Sequence, residues 1–485
     1  MLIALNQESI EKHAWRLKEK SLIIFDSSQV KANGFGLPLS NIIKNKKLPL
    51  ILRNTIAIGA LASILGIDFS IVKDVIQSTI SKNIEENIEV AEEGYNLAKG
   101  YKSDIKVVPS KNQPHYLLTG NEALALGAIK AGLKMYVAYS MTPSSSILHY
   151  LAANEDKLNI SVIHPENEIA VIGMAEGAAY AGVRAMVGTS GGGFSLMVEH
   201  LSLSGQAEIP IVIVLSQRPG PATGVPTYSA QGELFFAIFA GHGEFPRIVV
   251  APGDANEAFY LSAEALNLAW KFQIPVILLS DKNLSESTYA VDIDENKVEI
   301  EKEKDWNKNG EYKRYLLTED GVSPLAFPGT KDAIIKVNSY EHDEYGITTE
   351  EPELITRGHE KRLRKMKAIE NELKSRSTVK TYGNIKSDTV LVTWGATKGA
   401  VVEISEKYDL FAVQPLYLYP LPVWELNKYL KQDKNIVDIE LNSKAQLSTW
   451  LKYNGFKVDA NILKYDGRPF SVNELEKRIN EVIKK

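Results

Sequence analysis

KMYVAYSMTPSSS (Lys134 to Ser146) sets an apolar run, Lys134 to Ala138, directly ahead of a loop rich in hydroxyl groups. A short amphipathic segment, Ile147 to Ala153, follows with helical spacing. Apolar strand, polar loop, helix is the repeating unit of an open α/β sheet, and such sheets bind ligands where loops leave the carboxyl ends of the strands. The unit recurs on both sides. Strand candidates are ISVIHP (Ile160 to Pro165), AMVGTS (Ala185 to Ser190), IPIVIVLS (Ile209 to Ser216), RIVVAP (Arg247 to Pro252) and IPVILLS (Ile274 to Ser280), with helices between them, among them Ala255 to Phe272. Continuous apolar strands alternating with helices predict a doubly wound parallel sheet covered on both faces. Two more strand ends carry chemistry: the acidic His164-Pro165-Glu166-Asn167-Glu168, and the cationic Gln217-Arg218-Pro-Gly-Pro-Ala-Thr-Gly224.

The 485 residues are too many for one ordinary core, so two or three domains are expected. A formal net charge of -5 gives no global attraction to a polyanion, and nucleic acid is not an expected partner. With no Cys, the sequence offers neither disulfides nor thiolate ligands for an iron–sulfur cluster. No apolar run reaches the roughly 18–20 residues of a spanning helix, and no basic region with an apolar core opens the chain. A cytoplasmic protein without a membrane partner is expected.

Residues 1–104 read as a separate unit, with LIIF (Leu22 to Phe25) and LPLIL (Leu48 to Leu52) as short strands and Thr55 to Leu65 and Phe69 to Ser81 as apolar-faced helices. A less regular segment from Leu284 to Ser375 ends in the charged stretch His359 to Lys374, which reads as a solvated helix joining two domains. Beyond Asp388 a smaller α/β pattern appears. Its strands are TVLVTWG (Thr389 to Gly395), LFAVQPLYLYP (Leu410 to Pro420) and NIVDIEL (Asn435 to Leu441), and its closing helix runs from Val472 to Lys484.

In their order along the chain, GNEALALGAIKAG (Gly120 to Gly132), YSMTPSS (Tyr139 to Ser145), ENEIAVIGMAEGAAYAG (Glu166 to Gly182), TSGGGFSLM (Thr189 to Met197) and QRPGPATGVPT (Gln217 to Thr227) resemble the α subunit of 2-oxoacid:ferredoxin oxidoreductases. GVSPLAFPGT (Gly321 to Thr330), YEHDEYG (Tyr340 to Gly346), LVTWGATKGA (Leu391 to Ala400) and QPLYLYPLP (Gln414 to Pro422) extend the resemblance over almost the whole chain. It implies a pyrimidine-type thiamine-diphosphate-enzyme domain over 105–355, a charged helical linker over 356–384 and a transketolase C-terminal-like α/β domain over 385–485. Residues 1–104 then correspond to a partial γ-type α/β domain that starts after the family's glycine-rich strand–turn–helix, either truncated or degenerate. The implied activity is CoA-dependent oxidative decarboxylation of a 2-oxoacid, of 2-oxoglutarate or pyruvate type, to acyl-CoA and CO2, with electrons passed to ferredoxin. Thiamine diphosphate, Mg2+ and a [4Fe-4S] cluster are expected mainly on a partner β subunit, with coenzyme A as co-substrate.

Each implied site residue also has a plainer reading. Thr142 caps the helix behind it, or contacts the 2-oxoacid as the family's Thr does; Ser140 and Met141 stand where Pro and Ile are usual. Glu166 or Glu168 serves a helix amino end, or reaches N1′ of the cofactor's aminopyrimidine, the resemblance favouring Glu168. The small residues of the helix behind them, such as Gly173, Ala175 and Gly177, imply close packing. Arg218 is a surface cation, or the fork that holds the substrate carboxylate. Ser190 and Gly191, in Thr189-Ser-Gly-Gly-Gly193, form an ordinary strand–helix turn or cradle a phosphate. The eight His show no metal-type spacing, and no metal site is expected in this chain. The runner-up is a non-catalytic assembly or regulatory paralogue. A third reading is a transketolase-like enzyme acting on ketose phosphates.

Overall fold

Six of the apolar runs become six parallel strands of one sheet, in a computed structural model that describes residues 1–101, 103–105, 107 and 115–483. From one edge the order is Ser161–Ile163, Met135–Val137, Ala185–Thr189, Ile211–Gln217, Pro275–Asp281 and Ile248–Val250, with Tyr417–Tyr419 antiparallel at the far edge. Strand side chains alternate between faces, and here they enter two different cores. Val212 and Val214 pack with Phe259, Leu266 and Trp270 of helix Ala255–Phe272. Ile211, Ile213 and Leu215 pack with Phe194, Met197 and Leu201 of helix Gly191–Ala207. Both faces are therefore covered, as double winding requires.

A second sheet has the order Val379–Gly383, Phe411–Pro415, Thr389–Thr393, Asn435–Glu440, Ala460–Leu463, parallel except for its first strand. It differs from the sequence reading in two places. Val379–Gly383 falls within the stretch taken as linker, and LFAVQPLYLYP divides between the two sheets. Pro415 has no N–H to extend its ladder, and Tyr417–Tyr419 pairs instead with Ile248–Val250. The buried apolar cluster that holds Leu215 and Leu279 also holds Val392, Trp394 and Val413, so one core continues from sheet to sheet. Buried Gln231 joins the two by hydrogen bonds: it donates from Nε2 to Trp394 O and accepts at Oε1 from Leu441 N and Thr397 Oγ1.

By contact the chain divides into Met1–Pro114 and His115–Lys485. The first unit has a parallel three-stranded sheet of Leu2–Ala4, Ile23–Asp26 and Phe35–Leu37, with helices Arg53–Leu65, Phe69–Thr79 and Ile84–Leu97. LPLIL is not a strand: Leu50–Leu52 is a 3-10 turn leading into Arg53–Leu65, with Leu50 and Ile51 exposed. A short apolar run has no periodicity to separate strand from helix entry. Gly59 permits the contact between Arg53–Leu65 and Ile84–Leu97, since a Cβ there would lie 1.9 Å from Ala91 O. In the second unit the closing helix is Val472–Ile483; Lys484, included in the sequence reading, lies outside the described residues.

The charged stretch His359 to Lys374 is helical, in helix Pro352–Leu373 with Lys374 as its carboxyl-terminal cap, but it is not a solvated connector. Lys361, Arg362 and Lys365 are at most 2% exposed. Lys361 Nζ lies 2.6 Å from Glu208 Oε1, and Lys365 Nζ lies 2.5 Å from Glu208 Oε2. Glu208 is the left-handed residue that ends helix Gly191–Ala207. Burial pushes its carboxyl up, but Lys361, Lys365 and Arg314 outweigh that and hold it well below the usual carboxylate range. Arg314 also donates to Ala207 O and Glu208 O, and Lys365 donates to Gln273 O at the end of Ala255–Phe272. Cations at helix carboxyl ends satisfy the last carbonyls and oppose the negative end of the dipole. Glu208→Gln would leave two buried ammonium groups uncompensated. It is expected to lower stability by about 3–5 kcal/mol, read as a lower denaturant midpoint in equilibrium unfolding.

Candidate functional site

The loop behind strand Met135–Val137 is held from below. Asn121, fully buried in helix Gly120–Lys130, donates from Nδ2 to Pro143 O at 2.8 Å and to Ser146 Oγ at 2.7 Å. Ser144 Oγ closes the turn on Met141 O. From the side, His164 Nε2 accepts from Ser140 N at 3.2 Å while its ring stacks on Tyr139. Thr142 is not the helix cap; that position belongs to Ser144, ahead of helix Ser145–Ala153. These supports fix the loop from below and from the side.

The acidic cluster separates into one buried and one exposed carboxyl. Helix Glu168–Tyr180 is capped by Asn167, whose side chain accepts from Ala170 N, so neither glutamate is its cap. Glu166 is exposed and makes no hydrogen bond or ion pair among the described residues. Glu168 is 3% exposed, and its Oε1 has no partner. That oxygen points at the start of helix Gly191–Ala207, because a Cβ on Gly193 would lie 2.4 Å from it and 2.2 Å from Thr189 Oγ1. Thr189 in turn lies against Met141, with Oγ1 to Sδ 3.9 Å. Ser190 and Gly191 open the helix fully buried, and Ser190 Oγ is also without a partner. The small-residue helix packs partly on this one: a Cβ on Gly173 would meet His200 at 3.2 Å, whereas Gly177 faces open space.

Arg218, at the end of strand Ile211–Gln217, donates from Nη1 to Thr142 O at 2.6 Å. Among the described residues no carboxylate pairs with it, so its charge is free for another anion. Thr142 and Arg218, far apart in sequence, are thus in direct contact. Glu168 reaches the same rim through Gly193, Thr189 and Met141. Sequence reasoning missed Glu233. Its backbone N–H donates to buried Gln217 Oε1, its Oε2 is buried without a partner, and a Cβ on Gly191 would lie 1.6 Å from its Oε1. Burial pushes the Glu233 carboxyl up to about 7, against the pull of Arg218. QGELFF carries no mark of this, since a Glu before an apolar helix reads as an end-of-helix charge. Three unpartnered buried oxygens, on Glu168, Ser190 and Glu233, therefore surround one helix start. Buried polar groups are nearly always satisfied, so this clustering marks a ligand site.

Residues 126–361 match the family described as pyruvate flavodoxin/ferredoxin oxidoreductase, thiamine diP-bdg, and residues 1–97 match pyruvate ferredoxin/flavodoxin oxidoreductase. The α subunit of 2-oxoacid:ferredoxin oxidoreductase 1 from Sulfurisphaera tokodaii is 37% identical over 89% of this chain and 72% of its own length. The 2-oxoglutarate synthase subunit KorA of Methanothermobacter marburgensis is 30% identical over 67% of this chain and 88% of its own. The chain belongs to the 2-oxoacid:ferredoxin oxidoreductase α-subunit family. A solved 2-oxoglutarate:ferredoxin oxidoreductase from Magnetococcus marinus, with 2-oxoglutarate, coenzyme A and succinyl-CoA bound, superposes with a TM-score of 0.90 at 31% identity, covering 99% of this chain and 87% of that one.

The six parallel strands of the larger sheet thus fall within a thiamine-diphosphate-binding domain, and the rim lies at their carboxyl ends, where such sheets take ligands. Among the described residues no helix is long and apolar enough to cross a membrane. The rim has little slack. In this oxidoreductase subunit, Gly193→Ala is expected to push Glu168 and Thr189 apart, costing about 1–3 kcal/mol of stability as overpacking does. Misplacement on the 1 Å scale should also lower turnover about 100-fold. Thermal unfolding and steady-state rates of the assembled complex check both effects.

Proposed function

We propose that this chain is the catalytic α-type subunit of an enzyme that oxidatively decarboxylates a 2-oxoacid of 2-oxoglutarate or pyruvate type. CoA takes the acyl group, CO2 leaves and ferredoxin receives the electrons. The reading is carried by the unpartnered Glu168 Oε1, buried beside the rim where Arg218 meets Thr142. A buried carboxyl oxygen without a donor fits the N1′ position of an aminopyrimidine, with which it can share a proton. When bound, thiamine diphosphate supplies a thiazolium able to accept the electron pair released with CO2.

The chain's own groups do the rest. Glu168 holds or yields the proton at the pyrimidine edge. Arg218, free of any carboxylate among the described residues, holds the substrate carboxylate by its planar fork. Thr142 sits in contact with that arginine through its backbone carbonyl. Ser190 and Gly191 line the helix start, where amide groups suit an anionic or polar cofactor group. Mg2+ and the diphosphate are assigned mainly to a β subunit. The absence of Cys from these 485 residues supports placing a [4Fe-4S] cluster there too.

The test is co-purification with the β subunit and acceptor reduction across a panel of 2-oxoacids, with and without CoA. Glu168→Ala is expected to lower 2-oxoacid-dependent reduction at least about 100-fold. Arg218→Ala should raise KM for the 2-oxoacid by about 10- to 100-fold, matching about 1.5–3 kcal/mol for a hydrogen bond to a charged group. Full activity in the Glu168 variant would instead identify a scaffold subunit.

A further inference from the structure

Arg218 has two neighbours of opposite consequence: the rim at Thr142, whose carbonyl it binds beside Met141 and Gly192, and the carboxyl of Glu233, which meets the adjoining Gly191 while its N–H is held by Gln217. The two side chains are not an ion pair, since no carboxylate lies within 4.0 Å of the guanidinium among the described residues. Glu233 is held where it is from several sides. Gln217 Oε1 binds its N–H, and Gln446 binds the segment on either side of it, accepting from Phe235 N and donating to Gly232 O. Two residues earlier, Gln231 is tied to Trp394, Thr397 and Leu441. Glu233 Oε1 rests against Gly191, the one residue type that leaves room for it. A carboxyl positioned so firmly, with Oε2 sealed from water and unpartnered, is not a surface charge.

We propose that Glu233 gates the anion-holding capacity of Arg218, leaving the guanidinium to the substrate carboxylate while Glu233 is neutral and competing for it once Glu233 is ionised. The inference rests on the 2-oxoacid reading given above and adds a regulatory residue to it. Among the described groups, Arg218 is the charged side chain acting on Glu233. The strand and helices packed around it offer neutral Gln217, Gln446 and Gly191, and Glu168 borders the same helix turn at Gly193. Burial raises the carboxyl into the neutral range, so the two protonation states exchange near physiological pH. The sign follows from linkage. Substrate binds the form with neutral Glu233, whose fraction falls as pH rises, and the apparent affinity falls with that fraction. Glu233 acts through Arg218 and is a positioning residue.

The test compares the wild-type complex with Glu233→Gln, which keeps the shape of the side chain and cannot ionise. In the wild type, KM for the 2-oxoacid should climb with pH above about 7, approaching tenfold per pH unit. In the variant that climb should vanish. A purely structural role would alter KM or kcat by the same factor at every pH, and an unchanged pH profile in Glu233→Gln overturns the proposal. Infrared difference titration of the carboxyl band missing from Glu233→Gln gives a second readout that needs no turnover. Titration of that band near the ordinary Glu value of about 4.3 overturns the proposal, and a further rise in Arg218→Ala supports it. Absence of 2-oxoacid turnover in the wild-type complex would count against the reading of function, while the infrared titration still decides whether Glu233 is coupled to Arg218.

Discussion

Glu208, buried between Lys361 and Lys365, is the constraint on which the geometry of the site depends. It terminates helix Gly191–Ala207, whose opposite end forms the floor of the rim at Ser190, Gly191 and Gly193. Arg314 adds donors to the last carbonyls of that helix and reaches Gln273 Oε1 at the end of Ala255–Phe272. One charged helix, Pro352–Leu373, thereby fixes two helices of the seven-stranded sheet by their carboxyl ends. A buried ion cluster stabilises little against an apolar substitute of the same shape, but breaking it leaves a charge without compensation. Its value lies in fixing one position for the helix, and with it the helix start about 17 residues away.

At that helix start, three buried side-chain oxygens from separate parts of the chain are left without partners. Asn121, Gln217, Gln231 and Gln446 are buried amides whose Nδ2 or Nε2 groups donate to backbone carbonyls of the scaffold. Glu168, Ser190 and Glu233 retain open oxygens. The division suits a preorganised site, in which supporting side chains lock the loops and reacting side chains wait for a partner. Backbone proximity at Gly191 and Gly193 permits this, because a methyl group at either position would occupy the space of a carboxyl oxygen.

How much could be read beforehand varies with the kind of signal. The six parallel strands were legible because Val- and Ile-rich runs such as IVIVLS leave no alternative to burial on both faces. Arg218 and Thr142 were legible as loop residues at strand ends, and Glu168 as a carboxyl opening a helix. LPLIL misled because a short apolar run that contains Pro49 suits a helix entrance as well as a strand. The charged stretch misled more deeply, since Lys361 and Lys365 look the same in sequence whether they face water or a buried Glu208. Glu233 left no trace, its importance arising wholly from Gly191 and Arg218, which lie elsewhere in the chain.

From the order of its residues alone, this protein's α/β class, its succession of strands and helices and its family followed, because hydrophobic periodicity and short motifs are local properties. The tertiary structure alone decided which carboxyl of Glu166-Asn-Glu168 is buried, that Tyr417–Tyr419 joins the larger sheet, and that Glu233 meets the helix start at Gly191. The physical reason is that burial, proximity and the proton affinity that follows from them depend on what the rest of the chain places around a residue. No neighbour in sequence determines them.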